Sequence, residues 1–369
     1  MNQMIKNASL ILGCLFLIGC EESQPNKIGT LLGGSEPQAE DQQFAEVVKG
    51  VKISFPADHQ AHRDFRHEWW YLTANLTDEQ GNPLGVQWTQ FRFASAPQKN
   101  GQNTKKTTWQ SQQIYMAHSA VTTKEKHYAD EKWSRDQAQL AGVDDSPFRV
   151  YLDDWQWRSS TDDLFPATLI NQSKQFGYSL TLTSDAPYQK QGEQGYSTKS
   201  ADGQVASYYY SQPFIDVKGE VTIDGSTFHV SGKGWIDREW SSQFLLDSQQ
   251  GWDWFALRLS DENSLVVFQL RDSKTGQSSY SHAKLMNKDG TGTPIEQSDI
   301  HLQALKQTKI QERLYPTQWQ LSIPREQIQL TITALNPNAK MPLSVPYWEG
   351  PVTIKGSHSG TGYMELTGY

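Results

Sequence analysis

The sequence predicts an all-β protein of two related domains, each an antiparallel barrel or sandwich, and three observations predict it. Strand-length runs alternate apolar and polar residues with period two, as in Gly85-Val86-Gln87-Trp88-Thr89-Gln90-Phe91-Arg92-Phe93, Gln175-Phe176-Gly177-Tyr178-Ser179-Leu180-Thr181-Leu182-Thr183 and Gln327-Ile328-Gln329-Leu330-Thr331-Ile332-Thr333. Turn chemistry separates such runs at Gly81-Asn82-Pro83, Asp202-Gly203, Asp224-Gly225, Asp289-Gly290 and Asn336-Pro337-Asn338. Finally, residues 69–79 (Trp69-Trp70-Tyr71 to Asp78-Glu79) align without a gap on residues 252–262 (Trp252-Asp253-Trp254 to Asp261-Glu262), matching Trp, aromatic, apolar, Leu, hydroxyl, Asp and Glu positions. Two domains of common design are the simplest source of such an echo.

Taken in order, residues 1–20 are an address. Lys6 supplies the positive start, Leu10 to Ile18 a short apolar run, and Leu17-Ile18-Gly19-Cys20 a box resembling a bacterial lipoprotein cleavage site, which makes Cys20 the expected lipidated residue. Residues 21–45, rich in Ser, Gln, Glu, Gly and Pro, read as a tether between lipid and fold. The first domain is expected over 46–215 and the second over 216–369. Gln212-Pro213 marks the break between them, and Gly219 to Gly225 opens a new hairpin. The C-terminal segments 345–356 and 360–366 read as a closing hairpin that leaves no bare edge.

Composition narrows the function. A formal net charge of −8 and pI near 5.6, with only isolated Lys pairs, exclude the basic footprint that nucleic acid requires. The only cysteines, Cys14 and Cys20, lie in the leader, so the body forms no disulfide and no thiolate metal site. Its 13 Trp, 15 Tyr and 14 Phe suit both a β-rich core and a cavity for an apolar or sugar-like ligand. A Gly-x-Ser-x-Gly elbow, a phosphate loop and a dinucleotide fingerprint are all missing from the sequence.

The densest chemistry lies in Gly234-Trp235-Ile236-Asp237-Arg238-Glu239-Trp240, followed by Gly251-Trp252-Asp253-Trp254-Phe255. As extended chain, the first segment sends Asp237 and Glu239 to one face and Arg238 and Trp240 to the other.

Those segments, with His67-Glu68-Trp69-Trp70-Tyr71, Tyr347-Trp348-Glu349-Gly350 and the stretch from Gly362 to Tyr369, resemble the lipocalin-like family of AttH-type secreted proteins, relatives of the carotenoid 1,2-hydratases, over most of residues 50–369. The resemblance implies two tandem lipocalin-like antiparallel β-barrels. It also implies a long apolar ligand, of isoprenoid or acyl type, on which the protein acts as a hydro-lyase or secreted hydrolase, or which it carries as an accessory of an envelope ABC transporter. No cofactor is implied. With the lipobox, this places the protein on the periplasmic side of the bacterial outer membrane.

Hydration of an isolated alkene needs a protonated carboxylic acid, aromatic faces for the resulting cation and a dry slot. The candidate acids are Asp237, Glu239 and Asp253, and the candidate ligand-binding residues His67, Glu68, Trp69, Tyr71, Trp240, Trp252 and Trp254. Two structural readings stand beside these. Arg238 pins a carboxylate between the barrels, or Glu68 pairs with an arginine while His67, on the opposite face, caps its strand or faces solvent. His59-Gln60-Ala61-His62 reads as a polar loop more readily than as a metal site, because no helix aligns the two rings.

Overall fold

The computed structural model describes residues 43–97, 111–136 and 139–369, so the leader, Cys20 and residues 21–42 of the tether lie outside the described residues. The body is built of two antiparallel sheets, the first nearly closed into a barrel and the second half a barrel.

The first sheet opens with a meander of β1 (His67–Asp78), β2 (Pro83–Ala94), β3 (Gln113–Thr123) and β4 (His127–Arg135). Shorter strands follow: β5 (Ala141–Asp145), β6 (Phe148–Leu152), β7 (Trp155–Ser159), β8 (Ala167–Gln172) and β9 (Phe176–Thr183). Two fragments, β10 (Gln189–Lys190) and β11 (Tyr196–Thr198), precede the long hairpin of β12 (Ala206–Ile223) and β13 (Ser226–Ser241). Its two-residue turn is Asp224-Gly225, both with positive φ, as a hairpin of this length demands. The strand order is β4-β3-β2-β1-β13-β12-β9-β8-β7-β6-β5, with β10 and β11 on β12.

The second sheet comprises β14 (Gln249–Arg258), β15 (Asn263–Asp272), β16 (Ser278–Asn287), β17 (Gly292–Ile295), β18 (His301–Ile310), β19 (Arg313–Ile323), β20 (Ile328–Ala334), β21 (Lys340–Met341), β22 (Tyr347–Gly356) and β23 (Gly360–Leu366). Its order is β17-β16-β15-β14-β23-β22-β20-β19-β18, with β21 on β22. In both sheets a four-strand meander comes first, and the first strand pairs with the last, β1 with β13 and β14 with β23. The matched segments 69–79 and 252–262 therefore occupy the same place in the two sheets.

The boundary expected near residue 216 needs correction. Asp216 lies inside β12, and the change of sheet falls between Ser241 and Gln249. Pro213, taken as a break, sits at a bulge where the register shifts between Gln212 and Ile215, so the strand bends and continues.

Alternation fills each core. In β9, Phe176, Tyr178, Leu180 and Leu182 point inward while Ser179, Thr181 and Thr183 face water. Burial of side chains of this size contributes about 1.5–3 kcal/mol each. The sheets meet where β1 packs on β23 and β2 on β22. Gly85 permits this approach, because a Cβ there would lie 2.5 Å from the Tyr363 hydroxyl and 2.7 Å from Pro351. Nearby, the Asn75 side-chain amide donates to the Gly362 carbonyl at 2.9 Å.

Candidate functional site

A pocket partly open to solvent lies between the sheets. The alternation of β13 creates one wall. Asp237 and Glu239 turn toward the pocket, whereas Ile236 and Trp240 join the core of the first barrel. Register adds the neighbours: Tyr71 of β1 and Ser211 of β12 lie opposite Asp237, and Trp69 and Tyr209 lie opposite Glu239. The second sheet contributes Trp252 and Trp254 from β14, Phe268 and Leu270 from β15, Tyr347 from β22 and Glu365 from β23. Phe244 and Leu245, in the link between the sheets, close one side.

Asp237 accepts hydrogen bonds from the Ser211 hydroxyl (2.5 Å), the Tyr209 hydroxyl (2.6 Å) and the Trp235 indole (2.8 Å). All three favour the carboxylate, yet burial outweighs them and pushes the group up to about 7, with the Glu239 charge adding to the rise. Glu239 takes a hydrogen bond from the Ser207 hydroxyl and forms an ion pair with Lys199 at 2.7 Å. The Lys199 ammonium in turn lies over the rings of Tyr209 and Phe268. Glu365 accepts from the Trp252 indole at 2.7 Å, but burial, reinforced by Asp237 and Glu239, pushes it up to about 8. It keeps some surface reachable from within the pocket, so a ligand that displaces pocket water strengthens the shift. Opposite it, Glu349 is fully buried, accepts from the Tyr71 hydroxyl at 2.6 Å and is raised well above the ordinary range, mainly by burial and then by Glu365. Near neutral pH the site thus holds protonated Glu349 and Glu365 and a partly protonated Asp237 against aromatic walls, beside the Glu239–Lys199 pair.

Of the residues singled out from sequence, Asp237, Glu239, Trp69, Tyr71, Trp252 and Trp254 come together in the pocket. Asp253 does not. Alternation sends it to the opposite face of β14, where it is fully buried and bound by Arg271, the Gln269 amide (2.8 Å) and the Tyr369 hydroxyl (2.7 Å), an anchor for the C-terminus. Glu68 is also turned away, held well below the carboxylate range because Arg92 and Arg238 overcome its burial. Arg238 reaches it at 2.5 Å while lying 3.9 Å from the Trp70 ring centre. This ionic pin is confined to the first sheet and does not join the two sheets as expected. Trp240 stacks on His62 at 3.9 Å, on the barrel side of β13. His67 packs between Phe93 and Phe244 behind the pocket wall, where burial and the charges of Arg66 and Arg92 push it down to about 3. His59 goes to the Tyr210 hydroxyl (2.6 Å) and His62 to Trp240 and Glu68, so the two do not face one another as ligands.

Sequence reasoning missed Tyr209, Lys199, His118, Tyr347, Glu349 and Glu365. The Ser207-Tyr208-Tyr209-Tyr210-Ser211 run carried a signal, since alternation places Ser207, Tyr209 and Ser211 on one face. The two glutamates lie in the closing hairpin, which was read for its pairing and its family resemblance and not for a site.

The family model described as AttH-like matches residues 46–369. Among solved structures, one of a Nitrosomonas europaea protein given an AttH assignment is 32% identical, with a TM-score of 0.79, over 88% of this chain and 99% of that one. Kievitone hydratase from Nectria haematococca shares the fold at 12% identity, with a TM-score of 0.63, over 89% of this chain and 96% of that one. No curated protein matches the sequence significantly.

Proposed function

Because this chain belongs to the AttH-like family, we propose that its pocket binds an elongated apolar molecule, of isoprenoid or acyl type, and adds water across a carbon–carbon double bond in it. The observation that carries the reading is Asp237, a carboxylic acid held near neutrality by burial among Trp69, Tyr71, Trp252 and Trp254. The hydratase among the fold's relatives supports the reaction class.

In the proposed reaction the Asp237 O–H gives its proton to the less substituted alkene carbon, and the π pair forms the new C–H bond. The tertiary cation left behind faces electron-rich indole and phenol rings. The three donors already aimed at Asp237 stabilise the carboxylate it becomes. A water lone pair then closes the C–O bond, and the water's extra proton passes to a carboxylate, either Glu239, with Lys199 beside it, or the ionised Asp237. The sum is alkene plus water giving alcohol.

The lipobox ending at Cys20 supports a place on the periplasmic side of the outer membrane, held by lipid, within reach of an envelope ABC transporter. Intact-mass measurement of membrane-extracted protein, with Cys20→Ser as control, tests the anchor. A mass with no acyl addition would remove it.

The function is tested by native mass spectrometry of the body purified gently from its own host, followed by incubation of whatever apolar molecule is released on denaturation with fresh protein. Conversion to an alcohol supports hydration. Stoichiometric binding without conversion assigns the protein to the carriers, and the absence of both binding and conversion removes the reading.

A further inference from the structure

A chain of polar groups leads from the surface to the pocket, past the aromatic side chains Phe91 and Phe93 of its wall. Its outer end is Glu131 on β4, whose side chain is 24% exposed. The carboxylate takes hydrogen bonds from the Ser344 backbone N–H (3.0 Å), the Ser344 hydroxyl (2.6 Å) and the Trp133 indole (3.2 Å). His118 of β3 comes next, completely buried, with Nε2 3.6 Å from the Glu131 carboxylate and Nδ1 3.0 Å from the Tyr347 hydroxyl. Tyr347 shares a face of β22 with Glu349, two residues along, and interacts with its carboxyl. Glu349 Oε1 receives the Tyr71 hydroxyl at 2.6 Å, and Tyr71 lines the pocket.

We propose that Glu131, His118 and Tyr347 form a proton path that exchanges the proton of the Glu349 and Glu365 pair with solvent while ligand fills the pocket. Two of its links are hydrogen bonds, Tyr347 to His118 Nδ1 and Tyr71 to Glu349 Oε1, while His118 Nε2 and Glu349 Oε2 are buried and unpartnered among the described residues, free to take up the other two. The His118 ring, with Ser344 and Trp133, pulls Glu131 down to about 2, so it is an acceptor. Its neighbour Nε2 therefore carries the hydrogen, which leaves Nδ1 to accept from the Tyr347 O–H and the Tyr347 oxygen to accept from a neutral Glu349. To release a proton, Glu349 O–H breaks as Tyr347 O–H re-forms, Tyr347 passes its own hydrogen to Nδ1, and Nε2–H goes to Glu131 and then to water. Uptake is the reverse. Glu131 moves about half an ångström toward Nε2 to reach ordinary hydrogen-bond distance. Burial, against the pull of Glu131, holds His118 below its ordinary range, so the ring carries charge only in passing. Among the described residues, the titratable groups that meet it are Glu131 and Tyr347, and the ring packs on Phe91.

The purpose of this path rests on the proposed hydration, but its test does not. Infrared spectroscopy of the protein with its pocket saturated by a long-chain alkane, which shuts out the water that would otherwise reach Glu365 and Tyr71 through the pocket, follows the C=O stretch of the neutral carboxyl after transfer into D₂O, with Glu349→Gln assigning the band. In the parent protein the deuterium shift is expected to be complete at the first time point. His118→Phe and Tyr347→Phe are expected to slow it at least tenfold, with the band itself retained. Tyr347→Phe, which removes only a hydroxyl, carries the test if His118→Phe does not fold. Unchanged exchange in a folded variant overturns the path, whatever becomes of the hydration reading.

Discussion

Glu349 and Glu365 stand directly opposite each other on β22 and β23, and burial raises the proton affinity of both. Two carboxylates in that arrangement repel, so the folded protein holds a proton that the unfolded chain releases at lower pH.

Stability is therefore expected to depend on pH in a definite direction. Glu365 moves from an ordinary 4.5 to about 8 on folding, and Asp237 from 3.8 to about 7. Each contributes fully below its unfolded value, and that contribution is lost as pH climbs through the folded value. The limiting slope is about 1.4 kcal/mol per pH unit per group, reduced by water in the pocket. Below about pH 6.5 the buried neutral histidines, which charge on unfolding, oppose this trend, so the decline in melting temperature is expected between about pH 6.5 and pH 8, and Glu365→Gln should flatten it. A rise over that interval contradicts the assignment.

Replacing Asp253 separates structure from chemistry. Asp253→Asn leaves Arg271 with a buried, uncompensated charge, and such breaks cost about 3–5 kcal/mol. Denaturant unfolding should show that loss, while turnover per folded molecule stays within about twofold, well short of the loss expected from removing a general acid. A stable variant with abolished turnover would return Asp253 to the site.

Gly85→Ala tests the fit of the two sheets. The added methyl meets the Tyr363 hydroxyl and Pro351 across the interface, and overpacking of this kind costs about 1–3 kcal/mol. Ligand affinity should weaken along with melting temperature, because β1 of the packed pair carries Trp69 and Tyr71 into the pocket. Unchanged melting would mean the sheets part easily.

Much of the fold was legible because period-two alternation and turn residues are local signals, and the match of 69–79 to 252–262 reported two strands in equivalent places. The same alternation separated Asp237 and Glu239 from Arg238 and Trp240. Asp253 was misjudged from its two tryptophan neighbours, although adjacency on a strand means opposite faces. Glu365 could not be joined to Asp237 by pattern, since the pairing of β14 with both β15 and β23 is what carries it there. The sheet boundary was missed because Pro213 is absorbed in a bulge.

Asp237→Asn should cut hydration by about 10²–10⁴-fold, the usual range for a general acid, with binding retained. The parent's rate should decline above about pH 7, as the acid ionises. Activity that keeps rising through pH 9 would shift the role to another group.

The most direct test of the central claim is incubation of the parent protein and Asp237→Asn with the pocket's alkene ligand in ¹⁸O-labelled water. The account predicts a tertiary alcohol carrying ¹⁸O from the parent and almost none from the variant. Ligand recovered unlabelled from both, after demonstrated occupancy of the pocket, would contradict it.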